Sequence, residues 1–223
     1  MNGRAFKDAV YEQFALVAQA FSSPKRIEII DVLAQGERSV ESLAQETGLT
    51  VANTSRHLQV LKGANLVAAR KRGLQSLYRL ADPAVLSGYR ALRHVAEARL
   101  AEVQRLVRDY YQGVDDLEPI PFDDLLDRVR KGSVTVLDVR PREEFEAGHV
   151  EGARSVPLAE LEQAIARLPQ RKEVIAYCRG PYCVLAAQAV RALRDKGYRA
   201  RRMEDGYPEW RDAGHPVASP QSR

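Results

Sequence analysis

Residues 39–67 read SVESLAQETGLTVANTSRHLQVLKGANLV, and this stretch predicts two short helices joined by a tight turn. The first helix runs from Ser39 to Thr47 and ends at Gly48, and the second opens at Thr50. The second helix has three apolar positions for a core, Val51, Leu58 and Leu61. Its other positions are largely polar or basic, and we expect them to point outward. Two helices in this order predict a helix-turn-helix.

A basic hairpin follows the second helix. The segment LVAARKRGLQSLYRL alternates like two strands around Gly73, which predicts a β-hairpin, or wing. Residues 38–79 hold seven Lys or Arg against two Asp or Glu, the charge pattern of a polyanion-binding element. A solvated basic surface on a helical bundle is the plainer alternative. The candidate DNA contacts are Asn53, Thr54, Ser55, Arg56, His57 and Gln59 on the helix, and Arg70, Lys71 and Arg72 on the wing.

The pattern of the chain changes beyond residue 112. Residues 85–112 predict one long amphipathic helix, and GVDDLEPIP, residues 113–121, has the composition of a linker. The short β-rich runs VTVLDV, ARSVPL, EVIAYC and YRARRM then alternate with helical stretches. Strand–helix alternation predicts a parallel sheet covered by helices.

Composition limits the class of protein. The 223 residues are 45% hydrophobic and 29% charged, with a formal net charge of +4, as is ordinary for a globular protein. No apolar run approaches the ~20 residues that span a bilayer, and the first residues lack an apolar signal core. Two cysteines are too few for a secreted disulfide framework. We therefore expect a cytoplasmic protein without contact to membranes.

Both cysteines lie in EVIAYCRGPYCVLAAQAV. Cys178 follows a predicted strand, and a helix is predicted to begin near Cys183 or Val184. Backbone N–H groups and the helix dipole stabilise an anion at such a place, and Arg179 adds positive charge, so Cys178 is a candidate nucleophile. Cys183 is either its redox partner or a small buried residue at the helix start.

Residues of about 10–100 resemble the ArsR/SmtB family of winged-helix repressors, because TSRHLQVLKGANLV follows the family pattern S-x-H-L-x-x-L-x-x-A-x-L-V. The resemblance implies a homodimer, formed by the first and fifth helices, that binds double-stranded operator DNA. Many relatives sense metals, but the third helix here has no cysteine, and the fifth has one histidine, His94, with Glu97 and Glu102 nearby. We assign no metal site and no cofactor, and a metal- or metalloid-responsive repressor remains an alternative.

Residues of about 118–218 resemble the rhodanese domain. LDVRPREEFEAGHVEGARSVPL and EDGYPEWRDAGHPV follow two of its signatures, and YCRGPYC occupies its active loop. The resemblance implies that Cys178 is catalytic and accepts sulfane sulfur as a persulfide. The other loop residues are Arg179, Gly180, Pro181, Tyr182 and Cys183. It also implies supporting roles for Asp138, Arg140, Glu144 and His149, with Arg140 and Glu144 as an ion pair and His149 holding its loop. Trp210 and Pro216 are expected to pack the C-terminal end.

Loop length distinguishes two chemistries on this fold. Sulfur-transferring members use six residues counted from the cysteine, whereas related phosphatases and arsenate reductases use seven with a terminal arginine. The loop here has six residues, Cys178 to Cys183, and ends in cysteine. The resemblance therefore implies sulfur chemistry, with persulfide, polysulfide or thiosulfate as the sulfur donor.

The predicted fold class is a multidomain chain, a mainly-α winged helix-turn-helix domain followed by an α/β rhodanese-like domain with a parallel sheet. The predicted bounds are 1–112 for DNA binding and dimerisation, 113–121 for a linker, 122–218 for the rhodanese domain and 219–223 for a tail. The predicted function is that of a DNA-binding regulator, a repressor, with Cys178 as a reactive-sulfur or redox sensor. An alternative is a sulfurtransferase tethered to a DNA-binding domain without coupling, so whether the protein is an enzyme stays open.

Overall fold

The computed structural model describes residues 1–112 and 119–219. The chain divides into two compact units, Met1–Arg99 and Leu100–Arg223. Every helix among the described residues is too short or too polar for a membrane span.

The first unit is a winged helix-turn-helix. Its helices are α1 (Gly3–Phe21), α2 (Pro24–Leu33), α3 (Val40–Thr47), α4 (Val51–Gly63) and α5 (Pro83–Arg99), and its strands are β1 (Arg38–Ser39), β2 (Val67–Arg72) and β3 (Gln75–Leu80). The strands pair antiparallel in the order β1-β3-β2. The predicted hairpin is thus present, with Gly73 at a positive φ of 59° in its turn.

Local sequence signals set the turn between α3 and α4. The Ser39 hydroxyl accepts a hydrogen bond from the Ser42 N–H at 3.3 Å, and the Thr50 hydroxyl accepts one from the Asn53 N–H at 3.2 Å. Both are N-caps, which satisfy otherwise unpaired amides of the first helical turn. Gly48 ends α3 in the left-handed region with φ 63°, a conformation that glycine adopts without steric cost.

Two predictions about α4 are wrong. Thr54, expected to point outward, is fully buried, and its hydroxyl donates to the Thr50 carbonyl at 3.0 Å. Val51, expected in the core, is 45% exposed and is the first residue of the helix. Leu58 and Leu61 are buried as predicted.

The predicted single helix over 85–112 is also wrong. Helix α5 ends at Arg99, Leu100 has an extended backbone with φ −111° and ψ 100°, and a separate helix α6 spans Ala101–Tyr111. The reason is packing, since Val107 and Tyr111 of α6 belong to the apolar core of the second unit.

The second unit contains a parallel sheet covered by helices. After α6 follow the helices α7 (Phe122–Arg130), α8 (Arg142–Ala147), α9 (Leu161–Ile165), α10 (Val184–Asp195) and α11 (Tyr207–Asp212), and a 3-10 helix at Leu158–Glu160. The strands are β4 (Val134–Asp138), β5 (His149–Val150), β6 (Arg154–Ser155), β7 (Glu173–Tyr177), β8 (Ala200–Arg202) and β9 (Val217–Ala218). The strands β6-β4-β7-β8 form the parallel sheet, and β5 pairs antiparallel with β9.

Strand β7 shows why the sheet is covered on both faces. Val174 and Ala176 belong to one apolar core, and Ile175 and Tyr177 belong to another. All four are fully buried. Because successive side chains point to opposite faces of a strand, a continuous apolar run is the expected sequence of a central parallel strand. Cys178 follows β7 directly and joins the first of these cores.

The predicted domain bounds remain predictions. Residues 113–118 of the predicted linker and 220–223 of the predicted tail lie outside the described residues. Ile120, at the end of that linker, is buried, and its N–H donates to the Arg202 carbonyl at 3.0 Å. The division along the chain falls between Arg99 and Leu100, so α6 is grouped with the second unit.

Candidate functional site

The loop from Cys178 to Cys183 connects the end of β7 to the start of α10. Cys178 is only 2% exposed, and its sulfur is joined to the sulfur of Cys183 in a disulfide. Cys183 is the N-cap residue of α10, and its N–H donates to the Gly180 carbonyl at 3.1 Å. The two cysteines are therefore close enough for one to react with a sulfur species carried by the other.

Four charged side chains, one of them from the loop, form a network of hydrogen bonds that is mostly buried. Arg140 donates to Asp138 at 2.9 Å from Nε and 2.5 Å from Nη2, and Arg179 donates to Glu144 at 2.6 Å from Nη2. The predicted pair of Arg140 with Glu144 is longer, at 4.0 Å. The side chains of Asp138, Arg140 and Glu144 are fully buried, and that of Arg179 is 11% exposed. Burial opposes the charge of Arg140, but its hydrogen bonds to Asp138 raise its pKa.

The network ties the predicted support residues to the loop. Glu144, on α8, holds Arg179, the residue after Cys178. Arg140 also donates to the Gly148 carbonyl at 2.8 Å, next to His149. The His149 ring stacks on Phe145 with centroids 3.6 Å apart, and its Nδ1 lies 2.8 Å from the Phe145 carbonyl oxygen. These contacts fit the expectation that His149 holds its loop, which stays a prediction.

Two tyrosines that sequence reasoning missed complete the network. The Tyr177 hydroxyl donates to Asp138 at 2.6 Å and accepts from the Val150 N–H at 3.1 Å. Its pKa is raised well above the usual value by burial and by the Asp138 carboxylate. The Arg140 guanidinium lies 4.4 Å from the centroid of the Tyr207 ring, which is a cation–π contact. Tyr207 lies within the signature EDGYPEWRDAGHPV, and Tyr177 ends a predicted strand. Both residue types are also typical of a core, so the sequence does not indicate that they join the charge network.

Gly206 lies directly against the backbone of the loop. A Cβ atom at this position would collide with the backbone of Arg179 and Gly180. The next residue, Tyr207, donates its N–H to the Cys178 carbonyl at 3.0 Å. Glycine is therefore required for the close approach of α11 to the loop. At the end of that helix, Trp210 is buried and donates from Nε1 to the Pro216 carbonyl at 2.8 Å.

Helix α6 packs against the same loop. Tyr111 is 5% exposed, and its hydroxyl donates to the Pro181 carbonyl at 2.8 Å. The Arg202 guanidinium lies 4.3 Å from the Tyr111 ring centroid, and Arg191 donates to the Tyr110 carbonyl at 2.6 Å. A cavity of about 270 Å³ lies at this contact. Its lining is Val103, Leu106, Val107, Tyr110 and Tyr111 of α6, with Tyr182 and Val184.

Sequence reasoning missed the role of α6, although a signal was present. Apolar and aromatic residues occur at positions 103, 106, 107, 110 and 111, the spacing of one helix face. The continuous periodicity of residues 85–112 predicts one long helix and so places that stripe in the first domain. The break at Leu100 separates it from α5.

The candidate nucleic-acid interface lies on α4 and the wing. Asn53, Arg56 and Gln59 are exposed, and Ser55 and His57 are half-buried. The wing residues Arg70, Lys71 and Arg72 are all exposed.

One wing cation already has an acidic partner. Arg70 donates from Nε to both carboxylate oxygens of Glu37 at 2.9 Å. This contact lowers the pKa of Glu37. Arg70 must therefore exchange Glu37 for a phosphate if it binds DNA.

No group of three or more His, Cys, Asp or Glu side chains in the described part of the chain is arranged to hold a metal ion.

Comparison with known proteins gives two family matches. Residues 23–69 match the family described as bacterial regulatory protein, arsR family, and residues 122–213 match the rhodanese-like domain. The HTH-type transcriptional regulator Rv0324 of Mycobacterium tuberculosis is 43% identical over 211 residues, which cover 95% of this chain and 92% of that protein.

Solved structures match each half separately. The homodimeric winged helix-turn-helix DNA-binding domain of Mb0332 from Mycobacterium bovis is 38% identical, covers 45% of this chain and 91% of its own, and has a TM-score of 0.42. A rhodanese-related protein from Thermoplasma volcanium is 28% identical, covers 45% of this chain and 96% of its own, and has a TM-score of 0.41. By the two family matches and its 43% identity to Rv0324, the chain belongs to the ArsR family of bacterial DNA-binding transcriptional regulators, in a form that carries a C-terminal rhodanese-like domain.

Proposed function

We propose that this regulator is a cytoplasmic, homodimeric repressor in which sulfane sulfur, accepted on Cys178, changes the affinity for operator DNA. The observation that carries the proposal is the contact of α6 with the loop that bears Cys178. Tyr111 donates to the carbonyl of Pro181, three residues after Cys178. A change in the loop thus acts directly on the helix that follows the DNA-binding unit in the chain.

The cysteine pair supports the sulfur chemistry. The thiolate of Cys178 attacks the outer sulfur of a persulfide R–S–SH, a new S–S bond forms, and R–S⁻ leaves. The thiolate of Cys183 then attacks the inner sulfur, on Cys178, and HS⁻ leaves, so that the two cysteines form a disulfide. The sulfane sulfur is reduced and the cysteine pair is oxidised by two electrons. A cellular dithiol or thiol reductant returns the pair to its reduced form. The pairing of Cys178 with Cys183 supports this proposed chemistry.

Three neighbours hold the backbone of the loop in place. The Cys178 carbonyl accepts from Tyr207, the Pro181 carbonyl accepts from Tyr111, and the backbone of Arg179 and Gly180 lies against Gly206. Because packed interiors are bistable rather than continuously deformable, an added sulfur atom or a closed disulfide is expected to shift one of these contacts. Of these contacts, the one with Tyr111 involves α6, the helix that follows the DNA-binding unit in the chain.

The exposed surface of α1 supports the homodimer. Among its 19 residues, Ala20 alone is buried. Phe6, Tyr11 and Phe14 are each at least 58% exposed. A helix with aromatic residues in water is expected to pack against another surface. We propose that this surface is the α1 helix of a second copy of the chain. Such a dimer has two α4 helices, one for each half-site of a pseudo-palindromic operator.

The test is operator binding by fluorescence anisotropy with the reduced full-length protein, before and after polysulfide treatment. We expect the dissociation constant to change by at least about fivefold in the wild type, the lower end of usual coupling. We expect no change in Cys178→Ser. In Cys183→Ser the persulfide forms but the disulfide does not, so its response separates the two modified states. Sulfur uptake on wild-type Cys178 with constant DNA affinity would refute the coupling and favour a tethered sulfurtransferase.

A further inference from the structure

A cavity beside the loop suggests which sulfur donor the protein accepts. It has a volume of about 270 Å³ and lies between α6 and the last part of the loop. Val103, Leu106, Val107 and Tyr110 line one side, and Tyr182 and Val184 line the other. In the described part of the chain, its lining consists of Val, Leu and Tyr side chains. Such a surface binds an apolar group, not a small dianion.

The cavity belongs to the sulfur-accepting loop. Tyr182 and Val184 are the residues on either side of Cys183, whose sulfur is bonded to that of Cys178. Val107 and Cys183 also pack against the core that contains Cys178. The cavity therefore lies against the part of the chain that carries Cys183.

The charge balance of the loop also favours an apolar donor over an anionic one. Arg179 is the cation of the loop that would suit an anionic donor such as thiosulfate. Its guanidinium donates from both Nε and Nη2 to Glu144, a fully buried carboxylate. The positive charge of Arg179 is thus balanced within the protein before any donor arrives.

Helix α6 makes this cavity a feature of this chain rather than of the rhodanese fold alone. Residues 101–111 lie outside both family matches, 23–69 and 122–213. The helix supplies the wall that contains Leu106 and Tyr110, which are 55% and 38% exposed. Exposed apolar side chains at the mouth of an apolar cavity are expected to cover a bound group.

We propose that this cavity binds the apolar R group of an organic hydropersulfide R–S–SH, with R an aromatic or branched aliphatic group. The inference rests on the proposed acceptance of sulfur by Cys178. The Cys178 thiolate attacks the outer sulfur, the S–S bond of the donor breaks, and R–S⁻ leaves with R still in the cavity. No electrons are gained or lost in this transfer. The cavity selects the donor, and Cys178 reacts with it.

The first test compares donors by mass spectrometry of the reduced full-length protein. Benzyl hydropersulfide, generated in situ, is expected to add sulfur to Cys178 about tenfold faster than cysteine hydropersulfide, which is the preference expected for burying a few apolar carbon atoms. Thiosulfate is expected to be slower than both. Equal rates for the benzyl and cysteine donors would overturn the proposal and leave sulfur acceptance itself intact.

Two variants test the cavity wall. Leu106→Asp puts a charge into the cavity. Leu100→Asp adds the same charge at the start of the helix, at an equally exposed position that does not line the cavity. We expect Leu106→Asp to lose the preference for the benzyl donor and to keep the rate with cysteine hydropersulfide, and Leu100→Asp to behave as the wild type. Loss of rate with both donors in Leu106→Asp would overturn the proposal, because it would mark a general effect on the loop.

Binding of an unreactive probe separates this inference from the proposed function. Benzyl methyl sulfide has no sulfur to transfer, and its binding is measured by saturation-transfer NMR. Binding to wild type and to Cys178→Ser, lost in Leu106→Asp, supports the cavity even if Cys178 accepts no sulfur from any donor. Absence of binding to wild type overturns it. A change in sedimentation of Leu106→Asp but not Leu100→Asp would also overturn it, because this face would then be an interface between two copies of the chain.

Discussion

Replacing Glu144 by Gln tests the buried charge network that supports the loop. Asp138, Arg140, Glu144 and Arg179 carry two negative and two positive charges, and all but Arg179 are completely buried. The substitution keeps the shape of the side chain and removes one negative charge. Arg179 then loses its carboxylate, and the network holds an excess positive charge away from water.

The cost follows from the burial of the two partners. Removing one partner of a buried ion pair typically costs about 3–5 kcal/mol of stability. Arg179 retains 11% exposure of its side chain, so it can move its charge toward water. We therefore expect the lower end, a loss of about 3 kcal/mol in the free energy of unfolding of the second unit.

The assay is urea unfolding monitored by the fluorescence of Trp210, the sole tryptophan of the chain, which lies in the second unit. Glu143→Gln, at an exposed neighbouring position of the same helix, is the control and should stay within about 0.5 kcal/mol of wild type. In a double-mutant cycle, Arg179→Gln and Glu144→Gln should couple by at least about 1 kcal/mol. A Glu144→Gln protein as stable as the Glu143→Gln protein would refute the argument.

Three further substitutions probe other contacts. Glu37→Gln removes the carboxylate that holds Arg70, so DNA binding should tighten. The slope of log Kd against log salt concentration should become steeper by about one unit, because one more phosphate contact forms. An unchanged slope would mean that Arg70 does not bind a phosphate. Gly206→Ala should slow sulfur uptake by Cys178, measured by mass spectrometry, because a Cβ displaces the loop backbone. DNA binding of the untreated variant should stay at the wild-type level. Sulfur uptake at the wild-type rate would contradict the close packing of Gly206 against the loop. Trp210→Ala empties a fully buried site and should lower the stability of the second unit by about 3–5 kcal/mol, measured by circular dichroism; a loss below about 1 kcal/mol would contradict its role in packing.

Local signals were sufficient for most of the fold. Ser39, Gly48 and Thr50 cap the helices of the turn as their residue types predict, and the apolar run of β7 predicts a strand buried on both faces. The loop from Cys178 to Cys183 lies where strand and helix patterns place it. In these cases the preference of the residue and the packing of the fold agree.

Tertiary contacts decided the features that sequence reasoning missed. Helical periodicity continues across Leu100, so only packing of Val107 and Tyr111 into the second core reveals the break. The predicted pair of Arg140 with Glu144 is present at 4.0 Å, but the sequence does not show that Asp138 is the closer partner of Arg140. Arg179, a loop residue, also binds Glu144. A tyrosine that hydrogen-bonds across a sheet is indistinguishable by sequence from one that fills a core.

The most direct test of the central claim is the Tyr111→Phe substitution in the operator-binding assay. It removes the hydrogen bond to Pro181, worth about 1 kcal/mol, and keeps the ring in the core. Tyr198→Phe is the matched control, because Tyr198 is buried in the same core and its hydroxyl donates to the Ile165 carbonyl at 2.8 Å, away from the loop. We predict that polysulfide modifies Cys178 in both variants, but that the change in DNA affinity shrinks several-fold in Tyr111→Phe alone. An undiminished response in Tyr111→Phe would contradict the claim that α6 links the sulfur-accepting loop to DNA binding.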